Sequence, residues 1–155
     1  MEGPPRIDPK NLADYLDILS KAVFQSGMSW RVVEAKWPGT REALYDFDPH
    51  RLADLTPHDV DRLAQDTRLI RNRRKIEATI DNAQTLLDLD REHNGFKRYL
   101  ESFPNYEALS ADLIKRFKFL GRTGTYFFLY VVGEPVPPHE EFMGEASHPA
   151  PRSRR

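Results

Sequence analysis

The chain has 155 residues, 39% of them hydrophobic and 30% charged, which is the composition of one globular domain with one sizeable core. It contains no cysteine, which excludes disulfides, thiolate nucleophiles and cysteine-ligated zinc or iron–sulfur centres. The formal net charge is -1, so affinity for a polyanion has to come from a local basic face.

No apolar run approaches the roughly 18 to 20 residues that span a bilayer, and the acidic, proline-bearing start is unlike a signal peptide. The expectation is a cytoplasmic protein without membrane association. Residues 1–10, with Pro4, Pro5 and Pro9, read as an extended arm that lasts until Asp8 or Asn11 caps the first helix. Leu12, Tyr15, Leu16, Leu19, Val23 and Phe24 recur at spacings of three and four, which predicts a helix with one broad apolar face ending at Gly27. Ser29 caps a second helix carrying Trp30, Val33 and Trp37, which Pro38-Gly39 is expected to end. Thr40 would then cap a short third helix reaching Tyr45 or Phe47, and Asp48-Pro49 marks a turn.

Thr56-Pro57 is a cap followed by proline at the first helical position. A turn over 67–72 leads into a long helix from about Arg73 to Leu89 with Ile76, Ile80, Ala83, Leu86 and Leu87 inward, so the pair reads as a helix-hairpin-helix. His93-Asn94-Gly95 breaks it, a short helix covers Phe96 to Phe103, and Ser110 is expected to cap a helix through Leu113 and Ile114. The nearly uncharged stretch Thr123 to Val132 reads as a buried helix, because a lone strand in a helical chain has no partner. Beyond Gly133, Pro135, Pro137, Pro138, Pro149 and Pro151 predict a disordered tail. The reading is therefore an all-α, single-domain helical bundle: an arm over 1–10, a helical domain over 11–134 and a proline-rich tail over 135–155.

The segment Ile70-Arg71-Asn72-Arg73-Arg74-Lys75-Ile76 packs four cations where a helix begins. Cations oppose the dipole at a helix N-terminus and free N–H groups point outward there, so the cluster points at phosphate. A second basic cluster, Lys115, Arg116, Lys118 and Arg122, surrounds Phe117 and Phe119, but cations at a helix end are equally explained by the dipole. Trp30 follows a glycine-containing turn and is either core or an aromatic platform; composition favours core. Tyr126 and Tyr130 on the late apolar helix also read first as core. Together the Ile70–Ile76 run, the turn from Phe24 to Trp30 and the segment from Arg116 to Gly121 suggest a protein that handles a DNA base. Phosphate-binding loops, dinucleotide fingerprints, serine-hydrolase elbows and zinc-protease motifs do not occur, and no metal site or cofactor is expected.

Several of these segments, in one order and spacing, resemble the 3-methyladenine DNA glycosylase I family of the helix-hairpin-helix glycosylase group. The carriers are Gln25-Ser26-Gly27-Met28-Ser29-Trp30, Phe47-Asp48-Pro49, Asp59-Val60-Asp61-Arg62-Leu63, Ile70 to Ile76 with Asn82-Ala83, and Phe117-Lys118-Phe119-Leu120-Gly121-Arg122-Thr123 with Tyr126. The resemblance implies base-excision repair: an enzyme that bends duplex DNA, extrudes an alkylated base and hydrolyses its N-glycosidic bond without a cofactor. It implies that Trp30, Gln25 and Tyr126 meet the base, that Met28 fills the vacated stack, and that Arg71, Arg73, Arg74, Lys75 and Lys118 hold phosphates. Double-stranded DNA with alkylated bases is the expected partner, and the protein is expected to be monomeric.

The chain departs from the family pattern. The family glutamate that faces the methylated base aligns with Ala22, so the catalytic residue is left unassigned. The family's opening segment, rich in Trp, Tyr and His, has no counterpart before Leu12, and its zinc ligands are missing because there is no cysteine. The implied member is divergent, shortened at the N-terminus and zinc-less. Two alternatives stand beside it: a non-catalytic helix-hairpin-helix module that grips DNA without a base pocket, and a helical partner-binding protein.

Overall fold

The computed structural model describes residues 5–142. Among them there is no strand, and eight α-helices follow in order: α1 Leu12–Gln25, α2 Trp30–Ala43, α3 Pro49–Ala53, α4 Pro57–Leu63, α5 Arg73–Glu92, α6 Phe96–Leu100, α7 Tyr106–Arg116 and α8 Arg122–Val131. The all-α expectation holds. No helix among the described residues is long and apolar enough to cross a membrane.

Side-chain caps set most of the starts. Asn11, Ser29, Asp48, Asn72 and Asn105 each accept a bond from a first-turn N–H, and Thr56 with Asp59 forms a reciprocal capping box. The 20-residue α5 is the hub, packing against α1, α3, α4 and α6, while α1 also meets α2 and α8. Trp37 is the largest side chain of the core; its indole stacks on Phe47 at 5.3 Å between ring centroids and meets Phe24 edge-on at 5.8 Å.

Phe47 reaches that stack through an uncommon backbone. Tyr45, Asp46 and Phe47 all hold positive φ, at 57°, 55° and 58°, in one tight turn between α2 and α3. Each such residue is strained, and full burial of Phe47 against Trp37 offsets the cost.

Three element boundaries differ from expectation. The second helix does not stop at Pro38-Gly39 but runs through both to Ala43. Pro38 removes one N–H from the ladder, yet continuing the helix keeps Trp37 and Thr40 buried, and the Thr40 hydroxyl donates to the Lys36 carbonyl at 2.8 Å instead of capping a new helix. Gly39 is required for packing: a Cβ there would lie 2.3 Å from the Arg68 carbonyl oxygen. The seventh helix starts at Tyr106, well before the expected cap, because Asn105 accepts the Ala108 N–H at 2.8 Å; Ser110 is a buried mid-helix residue. The sixth helix ends at Leu100, since Pro104 disfavours helical backbone at Phe103.

The proline-rich segment also differs over the part described. Residues 135–142 lie against the body: Phe142 is buried, and Pro137 accepts a bond from the Tyr126 hydroxyl at 2.8 Å. The tail expected over 143–155 lies outside the described residues, as do residues 1–4 of the arm. The remainder of the arm is extended and tied to the end of α8. Ile7 N–H donates to the Val131 carbonyl at 2.7 Å, Arg6 donates to the Glu134 carbonyl at 2.8 Å, and the Arg6 guanidinium lies 4.4 Å from the Tyr130 ring centre.

Candidate functional site

The turn between α1 and α2 is built by its glycine. Gly27 has φ +74°, a conformation side chains rarely adopt, and bonds from Ser26 N–H to Val23 O and from Met28 N–H to Gln25 O close the chain around it. Ser29 then starts α2, and Trp30, its first residue, is 62% exposed. The compositional preference for a core Trp30 is therefore wrong. A large indole is held at the surface beside Met28, which is half-buried against the core, and a half-buried Gln25.

The start of α5 lies against this turn, and Lys75 makes the connection. Its side chain is buried, and its ammonium donates to the carbonyl of Phe24 at 3.1 Å and to that of Ser26. Burial pushes its pKa down from the usual lysine value. Lys75 is thus not placed to hold a phosphate, which corrects the sequence expectation. It closes the C-terminus of α1, where carbonyls lack helical partners and a cation is favoured.

The other cations of the hairpin face outward. Arg71, Arg73 and Arg74 are exposed; Arg73 pairs with Asp61 and, at 3.8 Å, with Glu77. Arg74 lies over the exposed ring of Phe119, 5.7 Å from its centre. Phe119 belongs to the loop between α7 and α8, which α5 grips through Asn82. The Asn82 carbonyl accepts the Lys118 N–H at 2.8 Å, and its amide donates to the Lys118 carbonyl at 3.2 Å. Lys118 itself pairs with Asp81 at 3.1 Å. Exposed pairs such as Arg73–Asp61 and Lys118–Asp81 contribute only about 0 to 1 kcal/mol, so either cation can exchange its partner for phosphate at small cost. Arg68, two residues before the Ile70–Ile76 run, is held by Asp66 at 2.7 Å and lowers the Asp66 pKa to about 2.

The ring of contacts closes at Ala22. Gly124 of α8 lies against it: a Cβ on Gly124 would be 3.5 Å from both the Ala22 Cβ and the Leu120 side chain. The position aligned with the family glutamate is thus an alanine beside a glycine. Four segments thus converge: Ala22 of α1, the Gln25–Trp30 turn, the start of α5, and the Phe117–Gly121 loop with the start of α8. Sequence reading named pieces of all four, but not the clamping role of Asn82 or the exposure of Phe119.

The methyladenine glycosylase family model matches residues 3–113. The chain belongs to that family. DNA-3-methyladenine glycosylase 1 of Escherichia coli strain K12 is 33% identical over 152 residues, covering 84% of this chain and 80% of that protein. DNA-3-methyladenine glycosylase of Haemophilus influenzae is 32% identical with the same coverage. Among solved structures, a crystal structure of 3-methyladenine DNA glycosylase I superposes with TM-score 0.72 at 30% identity, over 82% of this chain and 81% of that one. The Staphylococcus aureus enzyme, whose structure concerns 3-methyladenine recognition, gives TM-score 0.72 at 28% identity, over 84% and 79%.

Family membership does not rescue every expected role. Tyr126 is only 2% exposed, its hydroxyl is bonded to Pro137, and Phe142 stacks on its ring at 4.0 Å and 15°. The ring face offered to a base by the sequence reading is taken by the chain's own Phe142, so Tyr126 is corrected from a base contact to a packing residue. The signal that would have found this, an aromatic within a proline-rich stretch, is too weak to read without the fold.

Proposed function

We propose that this protein is a DNA glycosylase that removes 3-methyladenine-type alkylated bases, with Trp30 as the base platform. The single observation that carries the reading is the exposed Trp30 on the glycine turn, fastened by Lys75 to the start of a basic hairpin helix. Duplex DNA is held by Arg71, Arg73, Arg74 and Lys118 together with the free N–H groups at the start of α5, contacts that carry no sequence information. Met28 enters the stack left by the extruded nucleotide, and Gln25 lies at the same turn. The protein acts as a monomer, and the working domain spans 11–134 with its arm and the first residues of the tail packed on it.

The chemistry asks little of the protein. A 3-methylated adenine is cationic, and stacking on an electron-rich indole favours the cation over neutral adenine. Water attacks C1′, the C1′–N9 bond breaks, and its electron pair leaves with the base as neutral 3-methyladenine. The water's proton passes to solvent and an abasic site remains. An apolar wall at Ala22 fits this reaction because the leaving base needs no proton.

The test is release of free base from alkylated duplex DNA by the parent and by Trp30→Ala. Release by the parent that falls by about fivefold to 150-fold in a folded Trp30→Ala variant is expected, since one stacking contact is worth about 1 to 3 kcal/mol. Salt-sensitive duplex binding with no release by the parent would instead identify a non-catalytic DNA-binding module.

A further inference from the structure

Phe119 is an exposed aromatic that packing does not explain. Its neighbours Phe117 and Leu120 are 3% and 4% exposed, yet Phe119 itself is 41% exposed. Its φ is +59°, a left-handed conformation that strains any residue with a Cβ. The strain persists because the flanking positions leave no alternative. Phe117 and Leu120 are anchored in the core, and Asn82 grips both backbone polar groups of Lys118. The fold therefore spends conformational strain to hold a phenyl ring in solvent.

Its surroundings indicate what the ring meets. Arg74 lies over one side of it, and Lys118 is its chain neighbour. Leu120, one residue on, touches the Gly124–Ala22 contact, and Arg74 is adjacent to the lysine that fastens the Met28–Trp30 turn. Phe119 thus borders the candidate DNA face from the side of α8, while Met28 borders it from the side of α2.

We propose that Phe119 is a second DNA wedge, which packs against the unstacked base step flanking the extruded nucleotide and holds the duplex kinked. The assignment rests on the glycosylase reading above. Apolar side chains inserted at a base step, flanked by cations on the phosphates, are a general means of stabilising bent duplexes. Strain at the wedge is retained because a ring turned into the core could not reach the step.

The experiment compares the parent with Phe119→Ala and Phe119→Gly in binding two duplexes, one intact and one with a stable abasic analogue flanked by 2-aminopurine. Base release from alkylated DNA is measured in parallel. Glycine accepts the left-handed backbone, so Phe119→Gly melts at or above the parent temperature, which separates function from folding. Both variants are expected to lose about tenfold in affinity for the abasic duplex, the equivalent of one stacking contact. Intact-duplex affinity should hold within about twofold, because phosphate contacts dominate it. The 2-aminopurine brightening should fall. Variants that bind the abasic duplex as tightly as a parent that releases base overturn the wedge alone. A parent that releases no base overturns the glycosylase reading, and the wedge with it.

Discussion

The ammonium of Lys75 ends on the carbonyls of Phe24 and Ser26, so the first turn of α5 is fastened to the last turn of α1 by one buried cation. This contact holds the turn that carries Met28 and Trp30 at a set distance from the hairpin. Lys75→Met removes the donors and leaves the buried Phe24 carbonyl unsatisfied, at a cost of about 1 to 3 kcal/mol in stability. Base release at a temperature where the variant stays folded should fall further than the folded fraction does. Denaturant titration and single-turnover release, run together, check it.

Salt dependence separates that lysine from its neighbours. Arg71→Ala and Arg74→Ala should each reduce the slope of log K against log salt by about 0.9, one phosphate apiece, and weaken all duplexes alike. Lys75→Met should leave the slope where it is. A reduced slope in Lys75→Met would return that residue to the phosphate-binding set.

Ala22 lies beside Gly124, at the position where the family resemblance places a glutamate toward the base. Ala22→Glu puts a carboxylate into a half-buried apolar wall and should destabilise the free protein by about 1 kcal/mol. It should also raise release of cationic 3-methyladenine relative to neutral bases by about tenfold, because an opposite charge near the ring favours the cation. Competing release of the two base classes from one alkylated substrate gives the ratio.

Glu134 is 2% exposed, and burial raises its pKa above the ordinary 4.5, with Lys97 at 3.6 Å opposing the shift. One of its oxygens has no hydrogen-bond partner among the described residues. A carboxyl with a raised folded-state pKa contributes stability below the unfolded value that is lost as pH rises through the folded one. Glu134→Gln should therefore raise the melting temperature at pH 7 and flatten the stability profile from pH 4.5 upward. Melting curves across that range decide it.

Much of the helical order was legible in the residues alone, because periodicity and caps act over a few positions. Asn11, Ser29, Thr56 and Asn72 each announce a helix with a local hydrogen bond, and α1, α4, α5 and α8 begin where their residues say they should. Pro38-Gly39 misled for the opposite reason: proline and glycine weaken a helix locally, and only the burial of Trp37 and the approach of the Arg68 backbone to Gly39 keep it intact.

The family likewise belongs to the sequence, since short motifs in a fixed order survive without knowledge of the fold. Which members of a motif do what belongs to the tertiary structure. Lys75 and Arg74 are neighbours in a run of like charges, yet one is buried on the carbonyls of α1 and the other is exposed over Phe119. Trp30 and Trp37 share a helix, yet one faces solvent and the other fills the core. Residue type states what a side chain can do; burial and partners, set by contacts between segments far apart in the chain, decide which of those capacities remains free for DNA.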